Sequence, residues 1–362
     1  MKDRETLSLC HTCYRHIPAD RITRDDGVYL IKTCPEHGHM EECIEKDVEF
    51  YNSLVYNRVT TGKNTVDEDH DSNYENCILF EVTDRCNLEC PHCYHQPDNK
   101  IVDKSFEHIF KMITDQTRPS MDTVFLTGAE CTVRKDLPEL IKAITDRGND
   151  VCIMTNGVKL SKRTYVKSLV DAGLKMAVLG LNHESYQGKV VHGKQVAGID
   201  ICNEEGMCVE KIFYTVEHID QVADVMEEIQ AMGLKNHPRT EYRIRAGSDI
   251  GRTPDEPRFF LSDHVKLIKS IADRKGWTWE KIPGDDNLYH YMVKINGLVH
   301  RIIQWCDART IDMEQLKCGP YAYFVPGKPA SNFLHQIILR DAHINNGLPL
   351  LDTVPDRYIA NY

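Results

Sequence analysis

The sequence predicts an α/β protein: a partial (β/α)6 barrel with a small N-terminal metal-binding domain and a mixed α+β C-terminal cap. Three observations predict it. Between about residues 77 and 251, six short apolar runs alternate with amphipathic stretches, the pattern of successive βα units in a parallel sheet. Two closely spaced pairs, Cys10 with Cys13 and Cys34 with His37, fall within the first fifty residues, a length that supports little core without a staple. Beyond residue 251 the alternation stops and prolines accumulate. The chain divides accordingly into 1–58, a linker over 59–76, the barrel over 77–251 and the cap region over 252–362.

The six strands are expected at Ile78–Val82, Thr123–Leu126, Asp150–Met154, Lys175–Leu179, Glu210–Thr215 and Glu241–Arg245. The helices between them are expected at Phe106–Thr114, Leu137–Asp146, Lys162–Ala172, Gly193–Glu204 and Ile219–Ala231. Lys162–Ala172, for example, places Val166, Leu169 and Val170 on one face, the spacing of a buried helical stripe. Six units fall short of the eight of a closed barrel, so the barrel should be partial. In the N-terminal region, the turn signal Asp25-Asp26-Gly27 precedes the strand-like Val28–Ile31. In the cap, Leu261–Lys275 reads as a helix, and His290–Ile295 and Leu298–Ile303 flank Asn296-Gly297, a strong hairpin signal.

Composition narrows the function classes. With 362 residues, 41% hydrophobic and 27% charged, the chain is ordinary for a globular protein. A net charge of −11 and a pI near 5.9 argue against a binder of nucleic-acid backbones. No apolar run approaches the roughly 20 residues of a membrane span. Met1-Lys2-Asp3-Arg4-Glu5 lacks the apolar stretch of a secretory leader, so the expected location is the cytoplasm. Fourteen cysteines are many for a reducing compartment, where metal binding is a better use for them than disulfides.

The first barrel strand runs directly into Cys86-Asn87-Leu88-Glu89-Cys90-Pro91-His92-Cys93-Tyr94. Three thiolates within eight residues can hold three irons of a [4Fe–4S] cluster and leave the fourth open to a small molecule. A structural zinc site completed by His92 or His95 is the alternative. It does not account for the position after a parallel strand, where α/β active sites gather.

Cys86-x3-Cys90-x2-Cys93 resembles the signature loop of radical S-adenosylmethionine (SAM) enzymes, and further matches follow in family order. Leu126-Thr127-Gly128-Ala129-Glu130 is similar to the family's Gly-Gly-Glu motif, with Ala129 departing from it. Thr155-Asn156-Gly157 matches the ending of the third strand, and Gly180-Leu181-Asn182 follows the fourth. The resemblance implies a cluster on Cys86, Cys90 and Cys93 that splits SAM into a 5′-deoxyadenosyl radical, with a ferredoxin or flavodoxin as reductant. It implies SAM contacts at His92, Gly128, Ala129, Glu130, Thr155, Asn156 and Asn182. Arg243 or Arg245, two apart on the sixth strand, could bind the SAM carboxylate, or both could be surface ion pairs.

Cys10-x2-Cys13 and Cys34-x2-His37 form two metal knuckles for zinc or mononuclear iron, with Cys43 as the alternative to His37. This front end, with Ile17-Pro18-Ala19 and Lys32-Thr33-Cys34-Pro35-Glu36-His37-Gly38, is similar to the radical SAM branch that includes a methanogen pterin methyltransferase and an archaeal tetraether lipid synthase. The branch implies chemistry at an unactivated C–H bond of a small molecule or lipid, by C-methylation or C–C coupling. A peptide-modifying enzyme and a non-catalytic metal or electron-transfer protein are the alternatives.

Other signals are discounted. Cys202, Cys208, Cys306 and Cys318 match no tight auxiliary-cluster motif, and Cys77, Cys131 and Cys152 read as core thiols. Asp341–Gly347 nearly matches a cobalamin motif, but its Gly comes one place late, and it reads as a turn. His183 and His192 read as loop histidines, and Trp277, Trp279 and Trp305 as ordinary packing.

Overall fold

The computed structural model describes residues 2–61, 77–90, 93, 95, 97–182, 184, 188–216, 220–233, 235–246, 260–282, 290–304, 309–312, 322–324 and 331–332. His92, His183, Trp305, Cys306, Cys318 and the Asp341–Gly347 turn lie outside these residues.

Four strands come first, β1 (Lys2–Leu9), β2 (His16–Arg24), β3 (Gly27–Cys34) and β4 (Gly38–Glu45), paired antiparallel in sequence order. Alternation explains them: β3 buries Val28, Leu30, Lys32 and Cys34. Helix α1 (Val48–Thr61) follows, and the sequence pattern had not marked it.

The second sheet holds the six expected strands: β5 (Cys77–Glu81), β6 (Thr123–Thr127), β7 (Val151–Thr155), β8 (Met176–Gly180), β9 (Cys208–Val216) and β10 (Glu241–Ala246). Each lies parallel beside its predecessor. Between them run α2 (Phe106–Gln116), α3 (Leu137–Thr145), α4 (Arg163–Asp171), α5 (Lys189–Glu204) and α6 (Gln221–Gly233). Local signals set their starts. The Ser105 hydroxyl accepts from the His108 amide 3.3 Å away to cap α2, and Pro138 occupies the first turn of α3. Val166 and Leu169 are fully buried on α4, each burial contributing about 1.5–3 kcal/mol.

The C-terminal region is mixed α and β, and its strands join this same sheet. Helix α7 (Leu261–Lys275) leads to β11 (Trp279–Lys281), β12 (His290–Ile295) and β13 (Leu298–Ile303). The β12–β13 turn has Asn296 at φ 52° and Gly297 at φ 83°, the left-handed pair that an Asn-Gly hairpin requires. Strand β13 then lies parallel to β10, while β14 (Ala322–Phe324) lies parallel to β5 at the other edge and pairs with β15 (Ser331–Asn332). Among the described residues this makes eight parallel strands side by side, six from the βα units and two from the C-terminal region. Among the described residues the order runs β11-β12-β13-β10-β9-β8-β7-β6-β5-β14-β15 and does not close.

Strand alternation gives the sheet two unlike faces. One face, with Phe80, Leu126, Ile153, Leu179, Tyr214 and Ile244, packs under the helices in the main core. The other carries Leu79, Phe125, Cys152 and Val178, with Met154 and Phe213 against them, in a separate apolar cluster. The small sheet docks on the large unit. Arg21 and Asp312 form a buried ion pair at 3.2 Å, and the Glu45 carboxylate accepts from the Ser262 amide at 3.1 Å at the start of α7. No described helix is long and apolar enough to cross a membrane.

Candidate functional site

The N-terminal knuckles bring Cys10, Cys13, Cys34 and His37 together, with all four ligand atoms within 4.8 Å of one another. His37 Nδ1 lies 3.6 Å from Cys10 Sγ and 3.5 Å from Cys34 Sγ, and Cys13 Sγ lies 3.8 Å from Cys34 Sγ. A tetrahedral zinc with Zn–S near 2.3 Å spaces its sulfurs about 3.8 Å apart, so the donor set fits. Each knuckle is followed by a left-handed residue, Tyr14 at φ 57° and Gly38 at φ 79°. Burial opposes ionisation of Cys10, but amide donors at Cys13 and Thr12 lower its pKa; burial first raises the Cys13 thiol to about 11. Cys43 sits on β4 opposite Tyr29, outside this group, so the geometry selects His37 as the fourth donor.

The cysteine loop leaves the C-terminal end of β5 and is tied at several points. The Thr83 hydroxyl donates to Asp103 at 2.6 Å, and Arg85 holds the same carboxylate through Nε at 3.1 Å. The Cys86 amide donates to Asn99 Oδ1 at 3.1 Å. The amides of Ala129 and Glu130 donate to the carbonyls of Thr83 and Arg85, both at 3.0 Å, which clamps the β6 loop onto the cysteine loop. Gly128 permits this approach. Its φ is 137°, and a Cβ there would lie 2.4 Å from the Thr83 carbonyl oxygen.

Asn156, at the end of β7, reaches the same loop. Its Nδ2 donates to Asn87 Oδ1 at 2.7 Å and lies 3.8 Å from Cys86 Sγ. Burial, then the nearby charges of Glu130 and Cys93, pushes the Cys86 thiol up to about 11. Metal coordination replaces that proton and removes the mismatch. Among the described residues two groups bring three or more ligand atoms within 4.8 Å, and Cys86, Cys90 and Cys93 form neither. Three thiolates on one loop suit a cluster that takes its sulfurs on separate irons.

Glu130 is 1% exposed. Its carboxylate accepts from the Thr155 hydroxyl and the Asn156 amide, both at 2.6 Å, and from the Thr132 amide at 3.1 Å. Desolvation outweighs these donors and raises its pKa. In this arrangement Glu130 staples the ends of β6 and β7 together. Asn182 Oδ1 accepts from the Thr215 amide at 3.2 Å, and Arg245 Nε donates to the Thr215 hydroxyl at 2.6 Å. Arg243 is no surface ion pair: it lies over the Phe213 ring at 5.0 Å and pairs with Glu241.

Sequence reasoning missed several supports. Gln195 on α5 is fully buried and donates to the carbonyls of Asn156 at 2.6 Å and Gly180 at 3.0 Å. His192 is held between the Asn182 carbonyl at 3.0 Å and Glu228 at 2.7 Å, rather than loose in a loop. A polar residue on an otherwise apolar helix face was the available signal for Gln195. Cys202 is fully buried in the helix core, its thiol raised to about 12 by burial, and Cys131 donates to the Met154 carbonyl at 3.3 Å.

Comparison with known proteins bears on this geometry. The HMPTM N-terminal zinc ribbon domain matches residues 3–46, and the radical SAM superfamily matches residues 80–244. The chain belongs to the radical SAM superfamily. The 7,8-dihydro-6-hydroxymethylpterin dimethyltransferase of Methanocaldococcus jannaschii is 34% identical over 302 residues, 75% of this chain and 59% of that protein. The Fe-coproporphyrin III synthase of Methanosarcina barkeri is 31% identical over 166 residues, 42% of this chain and 41% of that one. The chain thus spans less than two thirds of either relative. The crystal structure of Streptococcus suis SuiB bound to precursor peptide SuiA superposes with a TM-score of 0.49 at 11% identity, covering 92% of this chain and 84% of that one. Radical SAM membership brings a [4Fe–4S] cluster and SAM, and the zinc ribbon brings a metal on its cysteine group.

Proposed function

We propose that this chain is a radical SAM enzyme that functionalises an unactivated C–H bond of a small molecule, with C-methylation of a pterin-like heterocycle as the favoured outcome. The observation that carries the first part is convergence on one loop. Residues from the ends of β6 and β7 clamp the chain on both sides of Cys86, Ala129 and Glu130 at Thr83 and Arg85 before it and Asn156 at Asn87 after it. The 34% identity to the pterin dimethyltransferase, extending over 75% of the chain, supports the second part.

In this reading Cys86, Cys90 and Cys93 would hold the cluster, which when bound would supply one-electron reduction of the SAM sulfonium. Gly128 and Ala129 offer backbone edges at the SAM site, and Thr155, Asn156 and Asn182 lie at the strand ends around it. Glu130 keeps those strand ends in register. Leu79, Phe125, Met154 and Phe213 give the inner face an apolar lining that excludes water from a radical. The zinc ribbon is a structural unit docked on α7 and residues 309–312. A reducing partner of the ferredoxin or flavodoxin type delivers the electron.

The test is anaerobic cluster reconstitution followed by reduction in the presence of SAM and a dihydropterin. The expected products are 5′-deoxyadenosine and, with it, S-adenosylhomocysteine from methyl transfer. Absence of 5′-deoxyadenosine under all reductants would sink the radical SAM reading. Deoxyadenosine without S-adenosylhomocysteine would sink methyl transfer alone.

A further inference from the structure

The inner face of the large sheet changes character along its width. In register across the strands, Leu79 neighbours Phe125, Phe125 neighbours Cys152, and Met154 neighbours Val178. At Phe213 the apolar lining ends. Its neighbour on β10 is Arg243, and the neighbour of Arg243 on β13 is Arg301. These positions share a face because they stand at matched register on parallel strands. The wall nearest the cysteine loop is apolar, and the wall farthest from it is cationic.

The two arginines lie side by side, an arrangement that repels unless an anion stands between them. Glu241 supplies one. Arg301 holds it through Nε at 2.9 Å and a second nitrogen at 3.3 Å, and Arg243 holds it through Nε. Lys211 is the neighbour of Glu241 on β9. Burial alone would raise the Glu241 pKa, but Arg243, Arg301 and Lys211 together pull it well below the carboxylate range. Burial and the neighbouring Arg243 lower the pKa of Lys211. Two guanidinium groups therefore share the Glu241 carboxylate in a largely desolvated wall, with Lys211 nearby between the charges of Glu241 and Glu210. Arg243 and Arg301 stay partly accessible, at 19% and 13% of their side-chain surface.

The Arg243 guanidinium is further fixed by the Phe213 ring beneath it. A planar fork held by an aromatic face and a carboxylate is preorganised for oxyanions, whose geometry guanidinium matches. Glu241 opens β10, and Arg243 stands two positions further along it, level with Arg301 on β13.

We propose that Arg243 and Arg301 form the subsite for an anionic group, phosphate or carboxylate, carried by the substrate. The inference rests on the reading of the barrel interior as the substrate site and adds the substrate's chemical class. It predicts a molecule with an apolar or planar body against Phe125 and Met154 and an oxyanion at the β10–β13 wall. That orientation turns the end remote from the charge toward the cysteine loop.

The experiment uses the full chain with its cluster reconstituted and saturated with SAM, titrated by calorimetry with inorganic pyrophosphate and, separately, with succinate. At least one should bind at one equivalent, and which one names phosphate or carboxylate as the recognised group. Arg243→Gln and Arg301→Gln should each weaken that binding tenfold or more. Arg301→Lys, which keeps the charge, should weaken it less than Arg301→Gln does. Iron and zinc contents identify a variant that has not folded; Arg301→Lys and Arg243→Gln then decide between them. No binding of either anion, the result if a carboxylate of the chain itself completes the cluster, overturns the proposal. So does binding indifferent to the substitutions. A parallel loss of SAM affinity of the same size also overturns it, because the arginines would then serve the SAM carboxylate. Deoxyadenosine formation by the unsubstituted protein tests the radical SAM reading separately, so a failed titration with that product present touches the anion subsite alone.

Discussion

The two cysteine sites differ in how far the chain has closed around them. In the ribbon, Cys10 and Cys34 are buried and the donor atoms stand at single-ion spacing, each knuckle locked by a turn and a paired strand. In the barrel, Cys86, Cys90 and Cys93 are half-buried on a loop held by clamps from other strands. A closed tetrahedral donor set leaves a metal no open position and stabilises the fold. A loop that offers three thiolates to a four-iron cluster would do the opposite, leaving one iron for chemistry. On the proposed reading the protein uses cysteine once as a staple and once as a catalytic ligand. The difference lies in the surrounding backbone.

Breaking each site should have opposite consequences, and this is the largest expected effect. Replacing Cys10 and Cys34 with Ala should reduce zinc from about one equivalent to near zero and strip hydrogen-exchange protection from β1–β4. Cys90→Ala should instead abolish the iron cluster while leaving zinc and β1–β4 protection intact. Equal loss of protection in both variants would erase the distinction.

A smaller effect sharpens the account of the clamps. Gly128→Ala places a methyl group against the Thr83 carbonyl at a backbone angle that only glycine adopts readily, and should destabilise by about 2–4 kcal/mol. Denaturant melts would measure it, with cluster retention falling in step and zinc unaffected. A neutral result would mean the β6 loop does not hold the cysteine loop.

The smallest is a pH effect at the end of β8. Glu228 raises the His192 pKa despite the opposing effect of burial, with the Asn182 carbonyl contributing. A raised value means that the charged form favours the folded state. The contribution is then fully present below the unfolded value near 6.5 and lost as pH rises through the folded value. His192→Gln should therefore lower Tm more at pH 6 than at pH 9. An equal decrease at both would show that the pair is not charged.

Much of the fold was legible because its signals are local. The six strands, the α7 helix and the Asn296-Gly297 hairpin each follow from residues close in sequence, whose periodicity or turn chemistry decides their conformation. The ribbon ligands were legible for the same reason, since a knuckle is a turn of four residues. The choice of His37 over Cys43 was not, because it depends on which residues β3 and β4 bring together. The supports at Asn87, Gln195 and Glu228 escaped notice because their partners lie on other strands and helices.

Spacing and order alone determined the parallel α/β core, the three-cysteine loop and the two knuckles, since each is encoded within a few residues of its own backbone. Only the tertiary structure decided that Glu130 acts as a buried staple, that the C-terminal strands flank the six parallel ones, and that Arg243 meets Arg301. Those outcomes depend on strand register and desolvation between segments up to hundreds of residues apart, which no local pattern specifies.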